Sequence, residues 1–226
     1  AFLPWAGGGY AVVDLPEALW RKDRLVFLAH RHIPTVWEER GVDVERRDWR
    51  RLDGGLLENR WVLPDGLEIR ARAAPGRDGV DMDLTLRNGT RERAEGLRFQ
   101  VCVMLKAAAG LNAQIVENKV TLGGACAVRT EDGRRWIATV WERGAAWQNP
   151  PVPCIHSNPT FPDLAPGESA RLRGRLLFVE GDRAGGFAPL ENRQGPAASD
   201  RCLPGQRGAA APRERERRSR PRRGAA

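Results

Sequence analysis

The sequence predicts an all-β protein: a large curved antiparallel β-sandwich of the supersandwich kind, followed by a disordered C-terminal tail. Three observations carry this. Apolar and polar residues alternate with a period of two in several separate runs between residues 66 and 181. Turn signals recur between the alternating runs. One stretch alone, "LPEALWRKDRLVF" (15–27), holds helical promise, a short turn at most.

The runs follow in order. In "GLEIRARAA" (66–74), Leu67, Ile69, Ala71 and Ala73 oppose Glu68, Arg70 and Arg72. In "GVDMDLTLRNGT" (79–90), Val80, Met82, Leu84 and Leu86 oppose Asp81, Asp83, Thr85 and Arg87, the pattern of a half-buried strand. "GLRFQVCVMLKA" (96–107) places Leu97, Phe99, Val101, Val103 and Leu105 on one face, with Cys102 and Met104 making its far half apolar on the other face too. "RRWIATVWER" (134–143) is two-sided as well. "SARLRGRLLFVEG" (169–181) sets Leu172, Leu176 and Phe178 against Arg171, Arg173 and Arg175 and closes the ordered part; the arginine side is expected to be a solvated face. Between these lie "LPDG" (63–66), "GRDG" (76–79), "RNGT" (87–90), "EDG" (131–133) and "APGE" (165–168). Asn-Gly and Asp-Gly tolerate the positive φ of tight hairpin turns. Strands buried on both faces imply a third layer or a concave sheet that holds a loop or ligand.

Composition divides the chain into one sandwich domain, 1–181, and a tail, 182–226. The formal net charge is +8. The tail holds 11 arginines against 5 acidic residues, and the remainder holds 26 basic against 24 acidic, so the body is nearly neutral. That ranks nucleic acid last among partners. The tail is rich in Arg, Ala, Gly and Pro and too poor in apolar residues to offset the entropy of ordering it. No apolar window is long enough for a membrane helix, so no membrane partner is expected. Cys102, Cys126, Cys154 and Cys202 form no C-x-x-C, and no P-loop, G-x-G-x-x-G, H-E-x-x-H or G-x-S-x-G occurs. No resident cofactor is expected.

The candidate site gathers around "LAHRHIPTVWEERG" (28–41) and "VWERGAAWQNPPVPCIHSNPTF" (140–161). On a strand, His30 and His32 would share a face about 7 Å apart. His156 completes the three histidines of the chain. If it folds against the pair, the three imidazoles could hold a catalytic metal with an open position. The alternative is sugar recognition, in which aromatic faces meet C–H surfaces and polar side chains meet hydroxyls. His30, His32, Trp37, Glu38, Trp147, Asn149, His156 and Asn158 are the candidate ligand-binding residues for it. The second segment reads as a long ordered loop over one end of the sandwich. A carbohydrate-binding or carbohydrate-modifying sandwich is the leading reading, with a non-catalytic interaction module and the three-histidine metal enzyme as alternatives.

Two resemblances add to this. "VDMDLTLRNGTRERAEGLRFQVCVML" resembles a strand–turn–strand of galactose-mutarotase-like supersandwich proteins, which implies a sugar ligand on a concave sheet face. "FLPWAGGGYAVVDLPEALW", "AHRHIPTVWEERG", "CVMLKAAAG" and "CIHSNPTFPDLAPGESARLRGRLLFVEG" resemble an uncharacterised bacterial family of planctomycete-type genomes. Neither assigns a catalytic role to a residue of this chain.

Overall fold

The computed structural model describes residues 1–181 apart from Arg31, Arg46, Gly123, Pro150 and Pro151, and only the backbone of Leu122 and Asn149. The segment expected to be a disordered tail, 182–226, lies outside the described residues.

Thirteen strands follow one another. They are β1 (Val12–Arg21), β2 (Arg24–Leu28), β3 (Arg50–Arg51), β4 (Leu57–Val62), β5 (Leu67–Gly76), β6 (Gly79–Asn88) and β7 (Leu97–Met104). Then come β8 (Lys119–Leu122), β9 (Ala125–Arg129), β10 (Arg135–Trp141), β11 (Gly144–Asn149), β12 (Cys154–Pro159) and β13 (Ser169–Glu180). Helical structure among the described residues amounts to two 3₁₀ turns, η1 (Glu38–Arg40) and η2 (Asp53–Gly55). The strands form a five-stranded sheet, β11-β12-β7-β1-β2, and an eight-stranded sheet, β3-β4-β5-β6-β13-β10-β9-β8, with every pairing antiparallel.

The alternation seen in the sequence decides which side chains enter the core. Leu67, Ile69 and Ala71 from β5, Leu84 and Leu86 from β6, Phe99, Val101 and Val103 from β7, Ile155 from β12 and Leu172 and Leu176 from β13 join one apolar cluster. Glycine is required at one point of this core. A Cβ on Gly174 would lie 2.2 Å from Cε2 of Trp141, the residue paired with it across β10 and β13. The two-sided reading of β10 holds: Ile137 and Trp141 enter the main cluster, while Trp136, Ala138 and Val140 form a second cluster with Ala125 and Ala127.

Three local expectations are corrected. The stretch with helical promise is the β1–β2 hairpin, in which Leu15, Ala18, Leu19, Val26 and Phe27 are buried. Pro16 falls in the register break between Asp14 and Ala18, where a missing N–H costs the ladder nothing. The long loop read over 140–161 is instead the end of β10 followed by β11 and β12, which pair at one edge of the five-stranded sheet. Trp147, Gln148 and Ala146 pair directly with His156, Ile155 and Ser157, and those cross-strand contacts supply the order. His30 and His32 do not lie on a strand, because β2 ends at Leu28 and the backbone turns so tightly that His32 N–H donates to the His30 carbonyl at 2.8 Å.

Candidate functional site

Register places a row of chemically active side chains on one face of the five-stranded sheet. Trp147 pairs with His156, His156 with Cys102, and Cys102 with Asp14, so the row crosses β11, β12, β7 and β1. Directly opposed residues of antiparallel strands share a face. Their neighbours Val101, Val103 and Ile155 point into the core, so this row points away from it. Cys102, Cys154 and His156 are nevertheless buried.

The indole of Trp147 stacks on the His156 imidazole, with centroids 4.1 Å apart and planes 7° from parallel, and its Nε1–H donates to Asn158 Oδ1 at 3.1 Å. His156 Nε2 lies 3.7 Å from Glu17 Oε2, and Gln100 Nε2 donates to the same oxygen. His156 Nδ1 faces Cys154 Sγ at 3.9 Å. The contact with Cys154, and burial, raise the Cys102 pKa. The same contact lowers Cys154 to about 5 against burial, helped by His156 and Lys119. Lys119 is itself buried, which lowers its pKa, and its Nζ donates to the Val152 carbonyl at 2.6 Å. Burial pushes Cys126 up to about 11, and its thiol donates to the Trp147 carbonyl at 3.2 Å. All three described cysteines are free thiols.

His30 reaches the same sheet from beyond β2, its Nε2 lying 2.8 Å from Asp14 Oδ2. His32 is exposed. Among the described residues, the group of His, Cys, Asp and Glu ligand atoms that lie within 4.8 Å of one another comprises Cys102, Cys154 and His156. The three histidines do not make such a group, because the turn after β2 leaves His32 in solvent and His30 with Asp14.

Trp37 and Glu38 belong elsewhere. Trp37 packs against the core and its Nε1–H donates to the Val26 carbonyl. Thr35 donates both its backbone N–H and its hydroxyl to Glu38 Oε2, at 2.9 and 3.0 Å, while Glu38 N–H donates back to Thr35 Oγ1. That is the reciprocal bonding of a T-x-x-E capping box, and it was legible in "TVWE". Glu38 also lines a cleft of about 230 Å³, together with Phe27, Asp48, Trp49, Asn59 and Trp61. The cleft opens where β2, an edge of the five-stranded sheet, meets β3 and β4 at an edge of the other. Trp61 is its buried floor, edge-on to Phe27 at 5.2 Å and to Trp49 at 6.3 Å. Trp49 is 38 % exposed. Of the candidate residues, Trp147, His156 and Asn158 lie on the sheet and His30 reaches it through Asp14, Glu38 lies at the cleft, Trp37 packs against the core and His32 is exposed. The side chain of Asn149 lies outside the described residues. Cys102, Cys154, Glu17, Trp49 and Trp61 were absent from the candidates. No spacing signal marks them, since strand register and sheet edges bring them together.

No family model and no curated protein matches the chain, so the likeness to a bacterial family of unassigned activity has no counterpart there. Solved structures do match. One is described as a kojibiose phosphorylase from the human microbiome, at 9% identity and a TM-score of 0.44 over 76% of this chain. This chain spans 26% of the length of that protein.

Proposed function

We propose that the chain is a carbohydrate-binding sandwich and that the cleft between β2 and β4 receives a single sugar ring. One observation carries this: a partly exposed indole, Trp49, meets the buried Trp61 edge-on in a hollow rimmed by Glu38 and Asp48. An aromatic wall offers a flat apolar surface to the C–H face of a pyranose, and carboxylates accept hydrogen bonds from its hydroxyls. The volume suits a small ligand, below the range usual for drug-sized ones. Glu38 is already bonded to Thr35, so its place on the rim is fixed before any ligand arrives. The role proposed is binding, with no reaction attached.

A glycan array followed by tryptophan-fluorescence titration tests this. At least one mono- or oligosaccharide should bind, and Trp49→Ala should weaken it at least tenfold with the fold intact by circular dichroism. A broad panel without a single binder, or a sugar held equally well by Trp49→Ala, would overturn the proposal.

A further inference from the structure

We propose that Cys102, Cys154 and His156 form a three-ligand site for zinc, with the fourth coordination position open. The residues come from two neighbouring strands. Cys102 on β7 is paired directly with His156 on β12, and Cys154 lies two residues from His156 on the same face. Their Sγ, Sγ and Nδ1 or Nε2 atoms all lie within 4.8 Å of one another. Tetrahedral zinc with Zn–S near 2.3 Å and Zn–N near 2.0–2.1 Å separates two sulfurs by about 3.8 Å, and a sulfur from a nitrogen by about 3.6 Å. Cys154 Sγ and His156 Nδ1 already stand 3.9 Å apart.

The donor set selects the class of metal. Two thiolates and an imidazole are soft to borderline ligands suited to zinc, whereas calcium and magnesium require oxygen. Two cysteines buried in a sheet could instead be small apolar residues. The second nitrogen of His156 argues against that. With Nδ1 turned to the cysteines, Nε2 faces Glu17 Oε2 at 3.7 Å, within ion-pair reach, and Gln100 Nε2 donates to that same oxygen. A carboxylate behind a histidine is the outer-shell partner that fixes a zinc-binding imidazole. The stacked Trp147 also holds the ring plane. These contacts hold the ring with Nδ1 toward Cys154, the orientation a metal ligand needs.

Cobalt(II) serves as the probe. The full chain, reduced and stripped of metal by a chelator, is titrated with cobalt and then with zinc, with magnesium as the control. One equivalent of cobalt should produce thiolate-to-cobalt charge-transfer absorption and tetrahedral d–d bands, and one equivalent of zinc should erase both. Cys102→Ser and Cys154→Ser should each weaken cobalt binding at least tenfold, while Cys126→Ser and Cys202→Ser leave it unchanged. Glu17→Gln should weaken zinc by roughly 10- to 100-fold and leave the cobalt bands in place. If the serine variants fail to fold, the spectrum of the unsubstituted chain decides. Absence of the charge-transfer band overturns the site. So does a band abolished by Cys126→Ser or Cys202→Ser, or a Cys102–Cys154 disulfide in the protein as purified, before any reductant is added.

Discussion

The two sheets present opposite kinds of outward face. On the eight-stranded sheet, register aligns Arg50, Glu58, Arg72, Asp83 and Arg173 across β3, β4, β5, β6 and β13, and Glu142 follows beside Arg173. Charge alternates in sign along the whole row. Glu58 bonds Arg50 and Arg72, Asp83 bonds Arg171, and Glu142 takes both the guanidinium and the backbone N–H of Arg173. Two rows over, Glu68 bonds Arg87 and reaches back to Arg60 of the row between. On the five-stranded sheet the corresponding row is indole, imidazole, thiol and carboxylate. Cross-strand ion pairs account for the first face by stability alone. The second face instead sets two thiols and an imidazole within reach of one another, an arrangement that ion pairing does not explain.

The largest effect expected on either sheet comes from the packing beneath the charged row. Gly174→Ala drives a methyl into the Trp141 indole, whose ring atoms lie 2.2–2.6 Å from the new carbon. Nothing there is the free end of a flexible chain. A loss of about 3 kcal/mol is expected, the upper part of the overpacking range, measured by denaturant unfolding. A loss under about 1 kcal/mol would mean that the sheet relaxes easily at β10–β13.

Next comes the charged row itself. Glu58→Gln should cost about 1–2 kcal/mol, more than an exposed pair because Glu58 is buried and less than a fully buried one because Arg50 is exposed. Arg72 chiefly, with Arg50, holds the Glu58 carboxyl below its ordinary value of 4.5, outweighing burial. Glu68 behaves alike: burial pushes it up, and Arg60 and Arg87 more than offset that. A depressed carboxyl stabilises the fold above its ordinary value, and that stabilisation is lost as pH falls through the lowered one. The gap between the parent and Glu58→Gln should therefore be full at neutral pH and close below pH 4.5. A gap independent of pH would remove the ion pairs as its cause.

These two faces also explain what was legible in the sequence. The sandwich was legible because "GVDMDLTLRNGT" or "SARLRGRLLFVEG" declares which side is buried without reference to any other strand. The β11–β12 hairpin was not, because "NPPVP" reads as a loop in the sequence and neither strand alternates cleanly. The histidine pair was misplaced because period two was extended past Leu28 into a turn. The zinc candidates were invisible for a different reason. Cys102 and His156 are 54 positions apart in the numbering, and only the β7–β12 register makes them neighbours. The cleft is less remote, since Trp49 adjoins β3 and Trp61 lies on the paired strand β4, but they share no motif with each other or with Phe27 of β2.

Smaller effects should mark the five-stranded face. Trp147→Phe keeps a ring over His156 but loses the hydrogen bond to Asn158, a cost of about 1 kcal/mol. Smaller still is His30→Ala. The imidazole is more than half exposed and its one described partner is Asp14. Removing it should change stability by less than about 0.5 kcal/mol, as for other exposed pairs. Equilibrium unfolding of Glu58→Gln and His30→Ala side by side gives the sharpest form of the contrast. Both substitutions delete one member of a polar side-chain pair, yet Glu58 is buried in a row of alternating sign and His30 stands mostly in water. If His30→Ala proves as costly as Glu58→Gln, the His30–Asp14 pair is what pins the turn after β2 to β1. The polar side chains of the five-stranded sheet would then be serving the fold, as those of the other sheet do.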